Sequence, residues 1–151
     1  MERLNQFIVF TLDEQKFGVP LASVERVIRA AAVTPLPDAP RVVAGVVNMQ
    51  GRIIPVIDVS SLFGLPEKDL DPGQQFIISS VSTGAVALVA DWVDGVAGLP
   101  ENDVAAAGEI LPRAGCVKGL AKSEDGIILI FDPESIISPG ELKKTHGEDR
   151  R

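Results

Sequence analysis

His146 and Cys116 are the only imidazole and the only thiol in this 151-residue sequence. Histidine-dependent acid–base or nucleophilic chemistry needs that ring fixed within about 3 Å of its hydroxyl or thiol partner. His146 stands in the charged stretch 140–151, which reads as a frayed tail and cannot supply that fixity. Cys116, within AGCVKG, reads as a small buried apolar residue. As a lone cysteine it excludes an intrachain disulfide and argues against a thiolate zinc site. Carboxylates are the remaining candidates. Asp58, Asp91, Asp94 and Asp132 would hold magnesium or calcium only if several converged on one point. Asp58 and Asp132 each close an apolar run, so capping the turn that follows is the expected task. Asp91 and Asp94 flank Trp92-Val93, which reads as a solvated or partner-facing loop. The segment GVVNMQG, residues 45–51, has glycines six apart but no following lysine or helix, so it is a turn-bearing hairpin and no phosphate loop. The residues thus assemble no catalytic set, metal cage or cofactor pocket. A binding module without cofactor or metal is the expectation.

Composition narrows the partners. With 21 acidic and 14 basic residues the formal net charge is −7, which disfavours nucleic acid and anionic membrane surfaces. A hydrophobic fraction of 46% argues for a packed core. The N-terminus lacks a secretory apolar region before Asp13, and the most apolar stretch, 84–99, is interrupted by Asp91 and Asp94. The expected setting is the cytoplasm.

The elements that must position these residues are written twice. Residues 45–58 (GVVNMQGRIIPVID) and 119–132 (GLAKSEDGIILIFD) align at a constant offset of 74, placing Gly45 on Gly119 and Asp58 on Asp132. A second echo runs at offset 69, placing Phe7 on Phe76, Phe17 on Val86, Val24 on Val93 and Val27 on Val96. The apolar runs are short, β-branched and bounded by turn residues, which is strand chemistry. Strands are expected over 7–12, 16–20, 24–29, 42–48, 53–59, 76–81, 85–89, 92–96, 116–120 and 127–131. Alternation along 24–29 puts Val24, Arg26 and Ile28 on one face and Glu25, Val27 and Arg29 on the other. A helical turn is expected at 60–64 and a short helix at 100–108. The fold class is mostly β: two small five-stranded SH3-like β-barrels from an internal duplication, with short helical turns. Residues 1–140 form one domain of two lobes, about 1–70 and about 71–140, one barrel per copy, with an N-terminal segment able to pack on either. Residues 141–151 form the charged tail.

The segment GVVNMQGRIIPVIDV, residues 45–59, resembles the signature of the CheW family, close to G-V-x-N-L-R-G-x-x-x-P-V-x-D-L. The opening FIVFTLDEQKFGVPLASV, the approach PLPDAP at 35–40 and the segment LVADWVDGV are similar too. The resemblance covers about residues 5–139. It implies two β-barrels and a non-enzymatic adaptor, here a stand-alone one, that couples methyl-accepting chemotaxis receptors to a chemotaxis histidine kinase. The implied partners are the kinase's regulatory domain and the cytoplasmic tip of the receptor, with recruitment to membrane receptor arrays. A related pathway for pili or gliding is the alternative, and a small acidic metal-binding enzyme a more distant one. Carried onto this sequence, the kinase face falls on Val19, Val24, Arg26, Val27, Asn48, Gln50 and Arg52, and the receptor face on Trp92 and Val93. Two positions depart from the family pattern: Gln50 stands where the signature has arginine, and Arg26 where many members carry glutamate. If these two lie close together, Arg26 avoids a stranded carboxylate opposite Gln50.

Overall fold

The computed structural model describes residues 4–66, 69–100, 104–106, 117–124 and 126–136. Eleven strands occur there: β1 Leu4–Leu12, β2 Gln15–Pro20, β3 Val24–Arg29, β4 Val43–Met49, β5 Arg52–Ile57, β6 Gln75–Val81, β7 Gly84–Ala90, β8 Trp92–Pro100, β9 Val104–Ala106, β10 Val117–Ser123 and β11 Gly126–Phe131. A 3-10 turn, Leu21–Ser23, joins β2 to β3, and single helical turns α1 (Val59–Leu62) and α2 (Pro133–Ile136) follow β5 and β11. Apolar β-branched residues with turn chemistry between them produce this pattern. The helix expected over 100–108 is corrected. Of its described residues, Pro100 ends β8 and Val104–Ala106 is β9, which pairs with Gly119, Leu120 and Ala121 of β10. An available sheet edge overrides the helix propensity of a three-residue segment.

Two sheets are formed, with strand orders β8-β1-β2-β11-β10-β9 and β3-β6-β7-β5-β4. The assignment of one barrel to each copy is corrected by this topology. The β1–β2 hairpin of the first copy sits between β8 and β11 of the second, and β6–β7 sits between β3 and β5 of the first. The two copies have exchanged their leading hairpins within one chain. Both exchanges use parallel pairing, β2 with β11 and β5 with β7. The repeat extends to the irregularities. Register shifts leave Glu25 unpaired in β3 and Asp94 unpaired in β8, at offset 69. Others leave Ala44 in β4 and Lys118 in β10, at offset 74.

The alternation of β1 feeds two cores. Phe7 and Val9 pack with Ala121, Ile128 and Ile130 inside the first sheet. Ile8, Phe10 and Leu12 point the other way, meeting Phe17, Val19, Ile57, Ile77, Leu88 and Phe131 in a central cluster between the sheets. Inside the second sheet Phe76, Ile78, Val47, Ile54 and Val56 pack as the repeat counterparts of the Phe7 group. The stacked pair Phe10–Phe17, 5.5 Å between centroids, and the edge-on Phe131 anchor the centre. Gly45 permits a close approach outside the cores. Its φ is +153°, and a Cβ there would lie 2.3 Å from the Thr34 carbonyl oxygen. That carbonyl accepts from Val46 N, tying the proline-rich connection to β4.

Candidate functional site: two acid-centred clusters on repeat-equivalent bulges

A bulge turns an extra residue out of the ladder and re-aims its side chain. Here both such residues in β3 and β8 are acids. Glu25 takes a two-pronged contact from Arg52 at the start of β5, Nη1 to Oε1 at 2.9 Å and Nη2 to Oε2 at 3.1 Å. The Ser80 hydroxyl donates to Oε2 at 2.8 Å. Asp94 accepts from the Thr11 hydroxyl at 2.7 Å and pairs with Lys16 at 3.2 Å. Trp92 Nε1 also donates to Asp94, at 3.1 Å. Thr11 and Ser80 are themselves equivalent at offset 69, so each acid is held by a hydroxyl from the hairpin exchanged into its sheet. The Arg52 and Ser80 hydrogen bonds hold the Glu25 carboxyl at a pKa of about 2, below its ordinary 4.5. The same contact raises Arg52 above its usual value.

The β4–β5 hairpin places Arg52. Its two-residue turn, Gln50-Gly51, has φ of 53° and 85°, the both-positive geometry that follows the twist of the strands. The Asn48 side-chain oxygen accepts from Gly51 N at 2.9 Å and locks the turn. Arg26, Met49, Gln50, Gly51 and Arg52 then line an open concavity of about 320 Å³. Arg26 and Gln50 both line this concavity. The carboxylate in their neighbourhood is Glu25, already held by Arg52.

The expected kinase-face residues thus divide. Arg26, Asn48, Gln50 and Arg52 are exposed and gathered at the hairpin end of the second sheet. Val19 is corrected: it is completely buried in the central cluster and can touch no partner. Val24 and Val27 are half-buried, and the expectation that they point to opposite faces is also corrected. Both pack against the central cluster, because the Glu25 bulge shifts the alternation by one residue.

Trp92 and Val93 lie on β8 of the other sheet. Trp92 is 53% exposed, while Val93 is half-buried against the central cluster and its N–H donates to Gln75 Oε1 at 2.7 Å. Val96 is 55% exposed and, because the Asp94 bulge reverses the alternation, lies on the face of Val93, opposite Trp92; among the described residues this edge strand pairs with β1. Ile53 and Ile127, equivalent at offset 74, are exposed beside their hairpin turns. Sequence reasoning missed Glu25, Ser80, Thr11, Lys16 and Met49. The offset of 69 placed Glu25 on Asp94 and was the signal that could have found the acid pair.

The four aspartates resolve into local tasks. Asp58 caps α1, accepting from the Ser61 hydroxyl at 2.9 Å, and Asp132 accepts from Glu134 N at 2.9 Å ahead of α2. Asp91 accepts from Asp13 N and from the Gln74 amide, tying the β1–β2 turn to the approach to β6. Among the described residues no three or more of His, Cys, Asp and Glu cluster to hold a metal ion. His146 and Cys116 lie outside the described residues.

The family model described as the CheW-like domain matches residues 6–141. The chain belongs to the CheW-like family. Among its relatives, the "Chemotaxis protein CheW" of Thermotoga maritima is 29% identical over 145 residues, covering 95% of both chains. That of Treponema pallidum is 26% identical, covering 92% of this chain and 85% of its own. "Protein FrzA" of Myxococcus xanthus is 29% identical over 99 residues, covering 66% of this chain and 62% of that one. The crystal structure of the scaffolding protein TtCheW from Thermoanaerobacter tengcongensis superposes with a TM-score of 0.77 at 28% identity, covering 85% of this chain and 89% of that chain. A chemotaxis scaffold of the CheW-like type is thus the class of protein in hand, and no helix among the described residues is long and apolar enough to cross a membrane.

Proposed function

We propose that this chain is a non-enzymatic adaptor that couples methyl-accepting chemotaxis receptors to the regulatory domain of a chemotaxis histidine kinase, on the cytoplasmic side of receptor arrays. The observation that carries the reading is that one duplicated frame presents two chemically different outer surfaces. The β4–β5 hairpin end is basic and polar, with Arg26, Gln50 and Arg52. The β8 edge exposes two large apolar side chains, Trp92 and Val96. A coupling protein needs two such surfaces so that both partners bind at once. In this reading the hairpin end receives the kinase and the Trp92–Val93 end of β8 faces the receptor. Each contact needs only micromolar affinity, about −8 kcal/mol, because assembly at an array raises the effective concentration of the second partner. The test is a pull-down from the native cell extract with the purified chain. Recovery of a histidine kinase together with a methyl-accepting receptor supports the reading, and recovery of neither sinks it.

A further inference from the structure

The ion pair at the β3 bulge leaves a cation over. Glu25, the residue before Arg26, feels its charge, yet both of its oxygens are taken by Arg52 and Ser80. Among the described residues Arg26 takes part in no side-chain hydrogen bond or salt bridge. It is exposed and lines the 320 Å³ concavity beside the Gln50 amide, the Met49 side chain and Arg52. A guanidinium presents five donors in a fork that matches a carboxylate, and Gln50 offers a further amide donor. The basic character is local. In a chain of net charge −7, the repeat-equivalent positions of Arg26, Gln50 and Arg52 carry Gly95, Glu124 and Gly126.

We infer that Arg26, with Gln50 and Met49, forms a receptor for a single carboxylate side chain of the partner protein, and that this contact sets which kinase the adaptor accepts. This rests on the coupling reading, because it places the acid on the kinase's regulatory domain. Met49 packs on the methylenes of the entering acid while the donors hold its oxygens. Glu25 stays outside the exchange, since its pairing with Arg52 is complete without a partner. Arg26 therefore governs association rate, salt dependence and choice of partner more than fold stability.

The test uses the full chain and the regulatory domain of its own organism's kinase, with the receptor's cytoplasmic tip measured in parallel by calorimetry. Arg26→Glu is expected to weaken kinase binding by about tenfold or more and to flatten its salt dependence. Receptor binding and the melting temperature should stay at wild-type values. Arg26→Lys, which keeps the charge and loses the fork, should fall between. Reversal of one acid on the kinase domain should restore the Arg26→Glu variant. Wild-type affinity and salt slope in Arg26→Glu overturn the inference and leave the coupling reading standing. If the wild-type chain binds neither partner, both fail. Concentration-dependent self-association that Arg26→Glu abolishes would assign the concavity to a second copy and overturn the kinase as its occupant.

Discussion

At the scale of single residues, Glu25 and Gly45 show two kinds of constraint. Glu25 has a folded pKa of about 2 against an ordinary 4.5, so its pairing contributes stability that is fully present above about pH 4.5 and is lost as pH falls toward 2. Arg52→Ala removes the first cause of that depression. The Glu25 carboxyl should then titrate nearer the usual carboxylate range by carbon-detected NMR, and the variant's melting temperature should fall less than the wild type's between pH 4.5 and 2. The pair is exposed, so added salt should narrow the difference. Gly45→Ala acts without charge. Its Cβ would sit against the Thr34 carbonyl at a backbone angle that side chains rarely adopt. A loss of about 2–4 kcal/mol in urea unfolding is expected. The glycine at 45 was legible in the sequence as a repeated frame residue. Its collision partner was not, because Thr34 reaches β4 through an isolated bridge after the 3-10 turn and β3.

At the scale of elements, the strands were legible and their phase was not. Runs such as FIVFTL and IILIF carry β-branched and aromatic residues between turn signals, and they are β1 and β11. Period-two alternation then assigned Val24 and Val27 to opposite faces. An unpaired residue between them reverses the phase, and no local pattern in VERVIR marks it. Val27→Asp follows from the corrected placement. A carboxylate forced against the central cluster should lower stability by about 2 kcal/mol in chemical unfolding, so any accompanying loss of partner binding cannot be read as a contact effect. Wild-type stability in that variant would show that Val27 faces solvent. β9 makes the same point from the other side: Val-Ala-Ala has no strong strand preference, and the ladder with β10 decides its form.

At the scale of the whole molecule, the duplication was legible as two copies and illegible as an exchange. Sequence offsets report which segments are equivalent, and they carry no record of which copy a hairpin pairs with. The parallel contact of β2 with β11 is set by the central packing of Phe10, Phe17 and Phe131. Two independent lobes would melt separately. Here residues 1–70 lack β6 and β7, which stand between β3 and β5, and leave β1–β2 without either neighbour strand. Expressed alone, residues 1–70 should show no cooperative melt by circular dichroism, while the full chain should melt in one transition. Mixing residues 1–70 with 71–151 should restore the native spectrum. A folded 1–70 fragment would show that the copies are separable.

The exchanged hairpin also sets a schedule for synthesis. Gln15 donates to the carbonyl of Ile127, 112 residues further along the chain. The β1–β2 hairpin leaves the ribosome before either of its neighbouring strands, which both come from the second half. Until then Phe10 and Phe17 lack Phe131, and two strand edges stand open. Contacts of such separation slow folding and lengthen the exposure of unpaired edges. For this chain the hazardous interval is translation itself, and a pause placed before β11 should raise aggregation more than one placed after it.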